Sequence, residues 1–138
     1  MYSVMIIMFL VLVTVNYVLS SVTWKVETLP VIIGDDVKLK CVVPNNGCFH
    51  NDTRYWMGGP NNKEIVKDTS SSNPNKYKMK TSDSGDYSYL IIHNVSYEDL
   101  TYNYTCICGF SLYDRTMNLS SSDIVVSYIY IPALPSAA

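Results

Sequence analysis

Four cysteines, Cys41, Cys48, Cys106 and Cys108, carry the most reactive side chains of this 138-residue chain. Thiols in this number support two chemistries: oxidation to disulfides, or ligation of a metal as thiolates. An even count in an exported chain favours disulfides, and four cysteines allow three connectivities. Zinc held by some of them with His50 is the competing chemistry. Structural zinc sites usually present two close cysteine pairs, and only Cys106-x-Cys108 is close here, so no metal is expected. His50 and His93 are the only histidines. Neither belongs to a Gly-x-Ser-x-Gly nucleophile setting, and no glycine-rich phosphate loop occurs. His93 closes a run whose alternation points it to solvent. Asp35-Asp36 lacks the spaced oxygen ligands of a calcium loop and reads as a turn. The expectation is therefore a chain that is not an enzyme and uses no cofactor.

The N-terminus sets the compartment. Residues 4–19 are apolar apart from Thr14 and Asn16, and Ser20-Ser21 follow. Such a run, ending in small residues, is a secretory signal peptide, with Val18 and Ser20 placed for cleavage before Ser21. No Lys or Arg precedes it. An uncleaved membrane anchor is the alternative, although the run is short against the ~20 residues of a comfortable span. The stretch after Tyr130 is too short for a span or a lipid-anchor signal. The expected product is secreted, with no stable membrane span after cleavage. Four acceptor triplets for N-linked glycans, at Asn51, Asn94, Asn103 and Asn118, agree with export. The net charge of −2, with no basic run, argues against nucleic acid as a partner.

The elements that must hold these residues are strands. Val37, Leu39 and Cys41 alternate with Lys38 and Lys40, as in a half-buried strand entered through the turn Gly34-Asp35-Asp36. Tyr55-Trp56-Met57, Lys63–Lys67, Lys76–Lys80, Tyr87–His93, Tyr102–Cys108 and Asp123–Ile131 are further expected strands. Asp68–Asn75 is polar and reads as a loop. Many short strands with turn signals and no intervening helices describe an all-β sandwich or barrel.

Cys41 and Cys106 each fall within an expected strand, with Trp56 between them. Tyr104 stands two positions before the second cysteine, and Glu98-Asp99 lies just upstream. This frame resembles the immunoglobulin superfamily. The likeness covers nearly all of the chain after the leader: GDDVKLKC at 34–41, Tyr55-Trp56, and YSYLIIHNVSYEDLTYNYTC at 87–106. It implies an all-β immunoglobulin-like sandwich of V-type Greek-key topology over residues 21–131, preceded by the signal peptide at 1–20 and followed by a short tail at 132–138. It further implies a Cys41–Cys106 bridge between facing sheets, Trp56 packed on the sulphurs, and a Tyr104 hydroxyl that ties down the preceding corner. Leu39, Leu90 and Ile92 would fill the core with Val95, and Lys76 would pair with Asp99. Asp99 stands one residue further from the cysteine than the family pattern, which implies an inserted residue in the corner. The last strand lacks a Gly-x-Gly bulge, so antibody-like pairing is not implied.

With Cys41 and Cys106 so paired, Cys48 and Cys108 remain. The resemblance places them at one end of the sandwich, where a Cys48–Cys108 bond would tie two loops together. The loops expected at that end are Val42–Arg54, Asp68–Asn75 and Gly109–Ser121. The last contains Phe110, Leu112, Tyr113 and Arg115, and exposed aromatics and Arg are the residue types that dominate binding hot spots. These four are the expected contacts for a protein ligand, a host surface or secreted protein. A glycan at Asn118 would crowd the base of that loop and one at Asn51 the Val42–Arg54 loop, which counts against an extensive contact there, and one at Asn103 would shield a sheet face and push binding elsewhere. Single-domain variable-type proteins rich in Asn, Tyr and Ile resemble the immunoglobulin-like proteins of large DNA viruses, the poxvirus haemagglutinin kind among them. Ile33-Gly34-Asp35-Asp36 is similar to that group. The resemblance implies an immunomodulatory or receptor-decoy role. The alternatives are a structural or adhesive surface glycoprotein and a membrane-tethered ligand that keeps its apolar N-terminus.

Overall fold

Alternation of apolar and polar residues builds the first sheet. The computed structural model describes residues 2–8, 21–44, 48 and 52–126. Strands β1 (Thr23–Val26), β3 (Val37–Val42), β8 (Tyr87–Ile92) and β7 (Tyr77–Thr81) form an antiparallel sheet in the order β1-β3-β8-β7. Their inward positions are Trp24, Val26, Val37, Leu39, Cys41, Tyr77, Met79, Leu90 and Ile92, all buried. Polar residues occupy the intervening positions of β1, β3 and β7.

The second sheet has the order β10-β9-β4-β5-β6, with β4 at Arg54–Gly58, β5 at Lys63–Lys67, β6 at Ser70–Ser71, β9 at Tyr104–Cys108 and β10 at Ser111–Arg115. It lies against the first sheet. The Cys41–Cys106 bond joins the two sheets through the middle. Trp56, Tyr104, Leu39, Leu90 and Ile92 are fully buried around it. The Tyr104 hydroxyl donates to the carbonyl of Asp99 at 3.0 Å, fixing the short 3-10 turn Asp99–Thr101 that precedes β9. Lys76 Nζ pairs with the buried Asp99 carboxylate at 2.5 Å. Ser96 adds a backbone N–H to the same oxygen at 2.8 Å. Two sheets in this order, stapled by a disulfide against a buried Trp and closed by this Tyr–corner bond, make an immunoglobulin-like β-sandwich.

A third pairing completes it. β2 (Val31–Ile33) runs parallel to β11 (Ile124–Val126), with Val31 opposite Ile124. The chain between β10 and β11 leaves the sheet, burying Met117 and closing with a short 3-10 turn at Ser121–Asp123. The final strand is thus two pieces that pair with different neighbours.

Several expectations change. Gly109–Ser121 is not one loop, because Ser111–Arg115 is a strand paired with β9 from Ser111↔Cys108 to Arg115↔Tyr104. A two-residue turn led by Gly109, whose φ is 58°, satisfies a tight hairpin directly. Asp68–Asn75 contains the short strand β6, held by Ser71 and Ser72 on the carbonyl of Ile65. β9 begins at Tyr104 rather than Tyr102, and β8 ends at Ile92. β1, built on Trp24, has no counterpart among the expected strands. Residues 2–8 are helical and exposed. No helix among the described residues is long and apolar enough to cross a membrane. His50, Asn51, most of the apolar leader and residues 127–138, with the end of the expected last strand, lie outside the described residues.

Candidate functional site

The β9–β10 hairpin brings the expected contact residues to one corner, then divides them. Phe110 is the second turn residue and is fully exposed; Leu112 is 61% exposed. Neither caps the core. On β10, alternation sends Leu112 and Asp114 to the outer face of the five-stranded sheet, beside Ile107 and Thr105. Thr105 Oγ1 donates to Asp114 there at 3.0 Å. Tyr55 continues the outer row from Ile107 across the sheet.

Tyr113 and Arg115 face the other way. Tyr113 packs partly buried against the core. Arg115 stacks its guanidinium over Trp24, 5.1 Å from the ring centroid, and donates from Nε to the carbonyl of Thr116 at 3.1 Å. The four residues therefore do not form a single surface. Phe110 and Leu112 are presented outward; Tyr113 and Arg115 anchor the strand from behind.

The end of the sandwich beneath the hairpin is braced. Cys48 is bonded to Cys108, the last residue of β9. The Gly109 N–H donates to the carbonyl of Thr53 at 3.1 Å. A Cβ on Gly109 would lie 2.9 Å from Oδ2 of Asp52, which would have to shift, and the φ of 58° itself favours glycine there. Arg54, buried at the start of β4, donates from its guanidinium to the carbonyl of Gly85. That bond links this end to the turn between β7 and β8. A turn held at so many points loses little freedom on docking.

Trp24 is the residue that sequence reading missed. It is buried, with its ring centroid 6.0 Å from that of Trp56 and the planes tilted by 58°. Its indole N–H donates to the carbonyls of Tyr104 and Tyr113. The alternation of Val22, Trp24 and Val26 with polar neighbours was the available signal.

The three described acceptor asparagines are all exposed. Asn103 precedes β9 at the end opposite Cys108, and Asn94 follows β8 at the end where it meets Val37. Asn118 lies beyond Arg115, whose cross-strand partner is Tyr104. It is therefore remote from the hairpin turn and lies near the base of the Gly109–Ser121 segment. Asn51 lies outside the described residues.

No group of three or more His, Cys, Asp or Glu among the described residues is placed to hold a metal. The displaced ionisations are structural. Burial pushes the Tyr104 phenol far above the ordinary range, and Asp99, Tyr77 and Tyr102 add to it. Burial likewise raises Tyr77. A hydrogen bond with His93, 2.8 Å away, is the main cause holding Asp36 below the usual carboxylate value.

No family model matches the sequence, and no curated protein matches it. Among solved structures, the chain is similar to the ZIG-8–RIG-5 IG1–IG1 heterodimer, at 12% identity and a TM-score of 0.49 over 71% of this chain and 79% of that one. Dpr1 IG1 bound to DIP-eta IG1 is similar at 13% and 0.49, over 68% and 89%. Titin domains A168–A170 are similar at 19% and 0.46, over 78% and 32%. The fold assignment rests on the sheet order and the Cys41–Trp56–Tyr104–Cys106 frame, not on these likenesses.

Proposed function

We propose that this chain is a secreted, glycosylated, variable-type immunoglobulin-like module that engages a protein ligand through the outward side of the β9–β10 hairpin. The observation that carries the reading is the pair Phe110 and Leu112. Two large apolar side chains stand in solvent on a turn braced by Cys48–Cys108 and by the Gly109–Thr53 bond. Adjoining exposed apolar side chains on a pre-ordered turn support a protein-interaction patch, and Phe110 is its aromatic anchor. Tyr113 and Arg115 act in this reading as supports for the contact strand.

Several features support the finer parts of the proposal. β5 and β6 extend the sheet of β4, β9 and β10, as the variable type requires. Two disulfides suit an oxidising compartment. The apolar leader with Ser20-Ser21 supports export with a mature start at Ser21, a domain reaching residue 131 and a tail at 132–138. The exposed asparagines at 94, 103 and 118 are open to glycosylation and leave the hairpin turn uncovered. The Ile33–Asp36 phrase and the Asn-, Tyr- and Ile-rich composition support a virus-encoded immunomodulator or receptor decoy.

The test is a pull-down of host surface and secreted proteins with the exported chain and with a Phe110→Ser/Leu112→Ser variant. A ligand retained by the wild type and lost from the variant, by about a factor of thirty or more for a hot-spot pair, is the expected result. Equal retention by both proteins overturns the proposed surface. N-terminal sequencing reads Ser21 if the leader is removed, and Met1 if it remains as an anchor. Native mass distinguishes a single binding module from an oligomeric structural component.

A further inference from the structure

The outward face of the sheet β1-β3-β8-β7 concentrates positive charge in a chain whose net charge is −2. Lys25 on β1, Lys38 and Lys40 on β3, and Lys78 and Lys80 on β7 all project from it. These are five of the ten Lys and Arg residues. None of the four strands carries an Asp or Glu. The strand register arranges the lysines in two rows. Lys25, Lys40, Tyr89 and Lys80 follow one another across the sheet, and Lys38, Ile91 and Lys78 do so in the next row. Neighbouring strands lie about 4.8 Å apart and successive same-face residues about 7 Å apart, so the charges form a regular grid on the twisted sheet. Four of the five lysines are exposed.

Tyrosines are set into the grid. Lys40 Nζ lies 3.9 Å from the ring centroid of Tyr87 and 5.8 Å from that of Tyr89, and Lys38 Nζ lies 5.4 Å from Tyr89. Cation–π contacts of this kind hold ammonium groups over ring faces without neutralising them. Glu27, just after β1, is 3.9 Å from Lys40. Asp83 and Asp86 stand in the turn that joins β7 to β8, at the margin of the face. No glycan acceptor triplet falls on β1, β3, β7 or β8.

We infer that this face binds a linear sulfated polysaccharide. An open array of ammonium groups interleaved with aromatic rings suits a ligand that alternates anionic substituents with apolar ring faces. Sulfates spaced along the chain meet lysines, which act as compact point charges. Sugar C–H faces lie on Tyr87 and Tyr89. A duplex nucleic acid or a lipid headgroup layer shares the charge but not this alternation in one extended strand, and a single-stranded nucleic acid would need whole ring faces open for base stacking, where lysines already lie over Tyr87 and Tyr89. The face is on the sheet opposite the hairpin, so it acts independently of the protein-binding surface.

Heparin is the probe, with the exported full chain on an immobilised column and in solution. The wild type is retained at about 0.15 M salt and elutes as the salt is raised. Lys38→Gln/Lys78→Gln/Lys80→Gln lowers affinity by about a hundredfold, roughly fivefold for each lysine facing a dense anionic array. The corresponding triple Lys→Arg variant keeps affinity within about threefold, because charge is preserved. Lys63→Gln/Lys67→Gln, on the other sheet, changes net charge but leaves retention unaltered. Tyr89→Leu weakens binding at unchanged charge and unchanged salt dependence. Failure of the wild type to bind heparin overturns the inference, as does an unaltered affinity in the Lys→Gln triple variant when near-ultraviolet dichroism shows it folded. Competition by phosphatidylserine vesicles, or by single-stranded or duplex DNA, as effective as competition by heparin overturns it too, since the face would then take any polyanion.

Discussion

The indole N–H of Trp24 lies 3.0 Å from the carbonyl oxygen of Tyr104 and 3.1 Å from that of Tyr113. One side chain from the first sheet thus reaches across the core and holds two adjacent strands of the second. The Cys41–Cys106 bond makes the same crossing covalently, next to the Trp24–Trp56 contact. The sandwich has a polar clasp beside its disulfide.

Trp24→Phe keeps most of the apolar volume and removes the N–H. It should lower stability by about 1–3 kcal/mol, through the lost hydrogen bond and the partly buried carbonyls left without it. Trp24→Ala adds a cavity and should cost about 3–5 kcal/mol. Urea unfolding under non-reducing conditions measures both. The order Phe variant above Ala variant is the expected outcome.

Alkaline unfolding should report Tyr104. Its phenol is raised in the folded protein by burial, with Asp99 second. The unfolded chain then gives up this proton near pH 10, while the native state retains it. Stability from this group is fully present below about pH 10 and is lost as the pH rises toward the folded value, at about 1.4 kcal/mol per pH unit. Tyr104→Phe removes the hydrogen bond to Asp99, costing about 1 kcal/mol at neutral pH. It should also flatten the alkaline slope, a change that the lost bond alone does not produce. Denaturation midpoints between pH 8 and 11 separate the two effects.

Acid titration should report Asp36. Its carboxylate is held low first by the hydrogen bond with His93, and the backbone N–H of Asn94 adds to this. A depressed carboxylate contributes stability above its unfolded value of about 3.9 and loses it as the pH falls through the lower folded value. Carboxyl chemical shifts should therefore place Asp36 below 3.8 in the wild type and return it toward that value in His93→Ala. An unmoved Asp36 in the variant would mean that the histidine is not the cause.

Removing the second disulfide should loosen one end only. Cys48 and Cys108 are 60 residues apart, so Cys48→Ala/Cys108→Ala should lower stability by about 4 kcal/mol in the chain-entropy model. Hydrogen exchange of the Gly109 and Leu112 amides should accelerate more than that of Leu39 or Leu90, which lie in the middle of the first sheet. Uniform acceleration would indicate that the bridge supports the whole sandwich equally.

The frame of the fold was legible because it depends on local alternation and on residues with few possible roles. Val37, Leu39 and Cys41 read as a strand on period two alone, and Trp56, Tyr104 and Cys106 have defined tasks in a stapled sandwich. β1 was hidden by its length, four residues on which alternation barely declares itself. β10 was hidden because Gly109-Phe110 is the whole turn, so the chain shows no polar stretch to mark where one strand ends and the next begins. The lysine face was illegible for a different reason. Its charges alternate with core residues in three separate strands, so no run of consecutive basic residues marks it, and only the register brings Lys25, Lys40 and Lys80 into a row. The Asp36–His93 contact likewise joins two turns that meet only in the folded chain.

The parallel pairing of Val31 with Ile124 has a consequence for the order of assembly. Hairpins such as β7–β8 and β9–β10 close over short distances and can form while the polypeptide is still emerging. β2 cannot do so: its edge waits for a partner from the far side of the domain. Until residue 124 arrives, the apolar side chains of Val31 and Ile33 stand beside an open slot. The edge of β2 is thus covered only when the last described strand is in place.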